Sequence, residues 1–186
     1  NQAFTEVAQY YFNQGNYTKS LEYFNKIEES TLTTEDLEKY YFQKGYCFFT
    51  AKNVKDATTF FNKVTNSPTY GAQAKYYLGF MAYEVDNYKE ANKQFEQVAT
   101  EDKYKEKMSY FQADMNFKLG KFQSAIDLGK TAMAKSNAVE KSELNKIIGE
   151  SYFNLKQFDK ALPYLQDYKG KKGKWNNTDF YQLGYA

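Results

Sequence analysis

The chain has 186 residues, enough for a sizeable hydrophobic core, and a 42% hydrophobic, 26% charged composition that argues against disorder. It has no histidine and no arginine; its 25 basic residues are all lysine, against 23 acidic ones, for a net charge of +2. Without imidazole most general acid–base and metal chemistry is hard to assemble, without guanidinium bidentate grips on phosphate are missing, and the balance falls short of a nucleic-acid binder. We therefore expect no enzyme, no cofactor and no metal.

Cys47 is the only cysteine, so no internal disulfide can form. No apolar run approaches the roughly 20 residues that span a bilayer, so no membrane insertion by this segment is expected. Aromatics reach 19% while only 2 prolines are present, which favours long helices. The chain opens on Asn1 without a signal-like stretch, and we read it as an excised or processed segment.

In chain order the sequence resolves into helix pairs. The first spans about 1–34, with small residues Ala8 and Ser20, a turn at Gly15-Asn16, a second helix opening at Tyr17, and apolar Phe24 and Ile27. Extra residues follow in 27–36, where Thr33 or Thr34 is placed to cap the next helix. The second pair, about 38–71, repeats the pattern with Gly45, Ala57, Lys52-Asn53, Val54, Phe61 and Val64, and Pro68 marks its end. The third, 72–105, has Gly79, Ala91, Asp86-Asn87, Tyr88, Phe95 and Val98.

The fourth, 106–139, has Ala113, Ala125, Gly120-Lys121 and Phe122, but Gly129 where a core aromatic is due, and a locally looser packing is expected there. The fifth, 142–175, has Gly149, Ala161, Lys156-Gln157, Phe158, Leu165 and Tyr168, with Pro163 within about a turn of a helix start. It ends in the basic stretch Lys169, Lys171, Lys172, Lys174, read as a flexible, solvated connector. A partial sixth copy, 177–186, carries Gly184 and lacks a second helix, leaving Phe180 and Leu183 uncovered. From this uncapped helix we expect self-association or continuation into more repeats.

The steps between successive small residues are 37, 34, 34, 36 and 35 residues. Small residues in both helices let two antiparallel backbones approach closely. Aromatics then fill the space between pairs, and stacking buries the face that one pair alone would leave exposed.

This pattern resembles the tetratricopeptide repeat, whose "L-G-x-x-Y…A-x-x-x-F" core is matched best by Leu78-Gly79…Ala91…Phe95 and restated by Leu183-Gly184. The resemblance implies an all-α fold: an α-solenoid of stacked antiparallel helix pairs in a right-handed superhelix, a single array of five full repeats plus a partial sixth. It also implies that partners bind the concave side lined by the first helices.

Three columns map to that side. Four residues after each small residue lie Phe12, Phe49, Tyr83, Phe117 and Phe153. Three before it lie Thr5, Phe42, Tyr76, Tyr110, Lys146 and Tyr181; one after it lie Gln9, Tyr46, Phe80, Asp114, Glu150 and Tyr185. Phe42, Tyr46, Tyr76, Phe80, Tyr83 and Tyr110 are expected to be exposed, and Asp114 and Glu150 to be solvated acids, with a basic partner facing them as the alternative. Some members of the family hold acidic C-terminal peptides with Lys and Asn in these columns; Phe42, Tyr76, Asp114 and Glu150 stand there here, which argues against such ligands. Aromatic anchors with polar tips suit a protein or extended peptide. The competing expectation is a glycan or small-ligand binding component of a bacterial envelope complex. Cys47 is read as a packing residue.

Overall fold

A computed structural model describes residues 2–99, 102–171 and 173–186. Among these residues there are eleven α-helices: α1 (Gln2–Asn13), α2 (Tyr17–Phe24), α3 (Thr34–Thr50), α4 (Val54–Asn62), α5 (Gly71–Glu84), α6 (Tyr88–Glu96), α7 (Asp102–Lys118), α8 (Phe122–Met133), α9 (Ala138–Asn154), α10 (Phe158–Asp167) and α11 (Asn177–Tyr185). A single 3-10 turn, Glu29–Thr31, fills the long first connection. No strand occurs among the described residues; Lys171 and Lys174 form only an isolated bridge. The chain divides into two compact units, residues 1–85 and 86–186. In the first, α1 pairs with α2 and α3 with α4, while α2 packs on α3 and α4 on α5. In the second, α7 pairs with α8 and α9 with α10, while α6 packs on α7, α8 on α9 and α10 on α11.

One backbone device makes the hairpins. Gly15, Lys52, Asp86, Gly120 and Lys156 all have left-handed backbone, with φ between 59° and 72°. In four of these turns the left-handed residue donates to the carbonyl three before it, and its successor to the carbonyl five before it. In the first turn these are Gly15 N–H to the Phe12 carbonyl at 3.0 Å and Asn16 N–H to the Tyr11 carbonyl at 2.9 Å. This pair of bonds closes the last turn of a helix and reverses the chain. Asn16, Asn53 and Asn87 then accept the backbone N–H three residues on and start the next helix. Tyr17, Val54, Tyr88, Phe122 and Phe158 are each the first residue of their helix, and Thr33 caps α3.

All ten small residues of the repeat pairs are buried. Ser20 donates to the Ala8 carbonyl at 2.8 Å, a contact only close-packed backbones allow. A Cβ on Gly149 would come within 2.8 Å of the Leu165 side chain and 3.1 Å of its backbone nitrogen. Phe24, Phe61 and Phe95 are at most 2% exposed. Each contributes about 1.5–3 kcal/mol of burial. Ile27, Val64, Val98, Ala132 and Tyr168 are buried in the next column. Cys47 is 1% exposed and burial pushes its thiol up to about 11, as a packing residue requires.

Four sequence expectations need correction. Gly129 does not loosen the fourth pair: a Cβ there would meet Ile148 Cγ1 at 2.8 Å, so α8 and α9 have closed the gap that an aromatic would otherwise fill. Pro163 is the sixth residue of α10, beyond the first turn, and it deletes the bond that the Asp159 carbonyl would accept. The lysine-rich connector is a folded turn. Gly170 and Gly173 are left-handed there, Trp175 Nε1 donates to the Tyr168 carbonyl at 2.9 Å, and Lys169 N–H donates to Ser142 at 3.0 Å. (Lys172 lies outside the described residues.) In α11, Phe180 is exposed as expected, but Leu183 packs on the cluster of Ile148, Tyr152, Ala161 and Leu165.

Candidate functional site

In the first unit the predicted columns put rings from α1, α3 and α5 into one ladder. Phe12 meets Tyr46 with ring centres 5.7 Å apart, Tyr46 meets Phe49 at 6.1 Å, Phe49 meets Phe80 at 6.0 Å, and Phe80 stacks on Tyr76 at 6.5 Å. All five side chains are half-buried, as is Tyr83 further along α5. Burial raises the phenols of Tyr46 and Tyr76 above their ordinary range; at Tyr46 the neighbouring Tyr77 adds to it.

Phe42 does not belong to this surface. It is 7% exposed, stacked on Tyr70 at 5.0 Å and packed against Phe61 and Tyr77. The expectation that it is exposed fails because α5 folds back over α3 and closes the hydrophobic cluster around Phe61. Tyr77, in no predicted column, is the hub of that surface: Tyr46, Phe49, Phe61 and Tyr76 all lie within 5.5 Å of it, centre to centre. The signal for it was the doubled aromatic Tyr76-Tyr77, of which only one ring can face outward.

The column of Phe12, Phe49, Tyr83, Phe117 and Phe153 has a local task. Phe12 packs edge-on against Tyr17 and Phe153 against Phe158, and Phe117 meets Phe122 at a tilt, each across its own turn at 5.2–5.9 Å. The carbonyls of Phe12, Phe49, Phe117 and Phe153 accept the bonds that close those turns. Phe153 also meets Tyr185 of α11 at 5.6 Å. Phe49 lacks an aromatic at Val54 and turns to Tyr77 and Phe80 instead.

In the second unit the same columns form a charged cleft of about 320 Å³ between α7, α9 and the 168–176 turn. Tyr110, Asp114 and Phe117 come from α7, and Lys146 and Glu150 from α9. Asp114 is bound by Lys118 at 2.8 Å. Glu150 is 9% exposed, which overturns its reading as a solvated acid: α11 covers it, burial pushes its carboxyl up, and Lys146 stands 3.9 Å away. The Lys146 ammonium reaches Asp179 of α11 at 2.8 Å and lies 4.9 Å above the Tyr168 ring. Burial alone would lower Lys146, but the Asp179 hydrogen bond and the charges of Glu150 and Asp179 outweigh it and its pKa is raised. Burial, then the charges of Asp114 and Glu143, push the Tyr110 phenol up to about 12.

Sequence reasoning missed Glu143, Tyr168 and Lys171, which also line this cleft. Glu143 lies three residues before Lys146, so extending the column by one helical turn would have found it. Tyr168 was read only as one of the fifth pair's repeat positions. Beyond these surfaces, α11 exposes Phe180, Tyr181 and Tyr185. Among the described residues, no helix is long and apolar enough to cross a membrane, and no His, Cys, Asp and Glu group is placed to hold a metal.

No curated protein matches this chain in sequence. A family profile, the tetratricopeptide repeat, matches residues 2–31. Solved structures of MamA share the fold. One of MamA AMB-1 superposes with a TM-score of 0.74 at 15% identity, covering 90% of this chain and 95% of that one. One of MamA MSR-1 superposes with a TM-score of 0.71 at 16% identity, covering 89% and 92%. At such identities the likeness is one of fold. The tetratricopeptide-repeat profile covers the first hairpin, and the helical hairpins that follow repeat its form.

Proposed function

We propose that the chain is a non-catalytic scaffold that holds a protein or extended peptide on the face of its first helices. The observation that carries this reading is the ring ladder of the first unit. Three successive first helices bring Phe12, Tyr46, Phe49, Phe80 and Tyr76 into contact, yet leave each ring partly open to solvent. Rings already packed on one another lose little freedom on binding, so a partner meets a preorganised apolar strip with hydroxyl tips. Tyr83 extends the strip along α5.

The test is selection of peptides from a displayed random library on the intact chain, followed by anisotropy titration of the best binders. Replacing Tyr76, Phe80 and Tyr83 together by serine should weaken capture by about tenfold or more while far-ultraviolet circular dichroism stays helical. If the triple variant loses helicity, Tyr83→Ser alone serves, with a smaller loss expected. Undiminished binding by the folded variant would sink the reading. So would calorimetric heats with oligosaccharides where no peptide is enriched, the outcome that a glycan-binding component predicts.

A further inference from the structure

The cleft of the second unit has a composition that the ring ladder lacks: flat aromatic walls beside carboxylates. Tyr110 and Phe117 form one side, with Asp114, Glu143 and Glu150 beside them; Tyr168 lies opposite, buried and with its ring face already taken by the Lys146 ammonium. Two of the three acids are already engaged, Asp114 by Lys118 and Glu150 by Lys146. Lys146 is itself matched by Asp179, which does not line the cleft. Glu143 has no ion pair among the described residues, and the remaining cation, Lys171, is exposed at the rim.

We propose that this cleft receives an arginine side chain of an extended partner segment, the guanidinium lying against Tyr110 and Phe117 and paired with Glu143. This rests on the reading above, that the first-helix face is the binding surface, and names the chemistry of one residue of the partner.

Three features select this occupant. A planar, weakly hydrated cation gains from aromatic faces and a carboxylate together, whereas a compact ammonium keeps its water more tightly. The volume, about 320 Å³, is at the low end for small-ligand sites and suits a side chain rather than a folded surface. Two carboxylates, Asp114 and Glu143, stand close enough to the Tyr110 ring for their charges to act on its hydroxyl, against the opposing charge of Lys118. These 186 residues contain no arginine, so the same stretch of a second copy cannot supply the guanidinium.

The experiment titrates the isotope-labelled full chain with the blocked tripeptide Gly-Arg-Gly and with its citrulline counterpart, which keeps the shape and removes the charge. Saturable shifts confined to Tyr110, Phe117, Ile147 and Tyr168 are expected, with citrulline about tenfold weaker. Glu143→Gln should weaken the arginine peptide about fivefold, and Lys171→Gln should strengthen it about twofold, because both act through partly solvated charges. Absence of saturation, shifts elsewhere on the chain, equal binding of citrulline, or indifference to Glu143→Gln would each overturn the proposal. If library peptides bind through Tyr76, Phe80 and Tyr83 while the tripeptide does not bind, the cleft proposal alone fails. If the tripeptide binds but no peptide depends on the ladder, the scaffold reading fails and the cleft stands.

Discussion

The two units carry different chemistry at the same helical positions. One residue after the small position the first unit has Tyr46, where the second has Asp114 and Glu150; three before it the first has Tyr76, where the second has Tyr110 and Lys146. The first unit therefore meets solvent with rings that touch one another, and the second with ion pairs around a cleft. Ring pairs contribute about 0.5–1.5 kcal/mol each beyond their burial, so an aromatic face partly supports itself. Buried charges cost free energy unless paired, and the second unit binds Lys146 between Asp179 and Glu150. The hairpin is indifferent to this choice, because its turns and small residues lie on other faces. One repeat can thus present unlike surfaces without changing how it folds.

The interiors differ too, and the largest expected effect breaks that difference. Phe24 and Phe61 fill the column in the first unit, Phe61 at 0% exposure, while the second unit interrupts it with Gly129 between Phe95 and Leu165. Phe61→Ala should cost about 3–5 kcal/mol in urea unfolding, since a large ring leaves a cavity. Gly129→Ala should also destabilise, by about 1 kcal/mol: Ile148 must move, which outweighs the roughly 1 kcal/mol of helix propensity that alanine restores. A Gly129→Ala variant that gained stability would show that α8 and α9 meet loosely after all.

Gly129 also marks where the sequence stopped being legible. The repeat phase was readable because each hairpin must bury the same small and aromatic residues, so α2, α4, α6, α8 and α10 begin at the expected residues. What a glycine means could not be read: missing bulk and close backbone approach look alike until Ile148 is in place. Phe42 failed for a related reason. A helical column tells which residues share a face, but not whether a later helix covers it, and Tyr70 and Tyr77 of the following segment decide that. Tyr46, Tyr76, Phe80 and Tyr110 were expected to be exposed and are half-buried, because neighbouring rings and, at Tyr110, the 168–176 turn cover one side of each. The cleft was half legible: its α7 and α9 walls follow the period, whereas Tyr168 and Lys171 come from an irregular turn.

Lysine titration sharpens the comparison in a second way, with smaller effects. Burial lowers the Lys44 ammonium, which lies 2.7 Å from the Tyr40 hydroxyl and above the Phe60 ring; Glu29 opposes that shift and Lys63 adds to it. A base whose folded pKa lies below its unfolded value of 10.5 weakens the fold at neutral pH. Stability then rises as the pH climbs from the folded pKa towards 10.5. Lys146 has the opposite sign. Its raised pKa stabilises fully below 10.5, and the contribution is lost only as the pH rises through the higher folded value. Replacing each by methionine and following urea midpoints from pH 7 to 10 separates them. The advantage of Lys44→Met should shrink with rising pH, while the deficit of Lys146→Met should stay level. Profiles of equal slope would mean that the two lysines share one environment.

The smallest effect concerns what the units have in common. Each contains one hairpin turn with glycine at the left-handed position, Gly15 and Gly120, and one with lysine, Lys52 and Lys156. The backbone is nearly the same in all four, with φ of 72° at the glycines and 59° to 60° at the lysines. A side chain there costs about 1–2 kcal/mol from its Cβ, offset by roughly 0.5–1 kcal/mol because glycine loses more freedom on folding. Lys52→Gly and Lys156→Gly should each therefore stabilise by about 0.5 kcal/mol, and Gly15→Ala and Gly120→Ala should each destabilise by about as much. The reverse substitutions are clean, because a Cβ at Gly15 or Gly120 meets nothing within 4 Å and only the dihedral angle is changed. Urea midpoints at constant slope measure all four. Equal and opposite shifts in the two units would make the turn one interchangeable part, whereas a gain confined to one unit would mean that the lysine it replaces does something there besides occupy the turn.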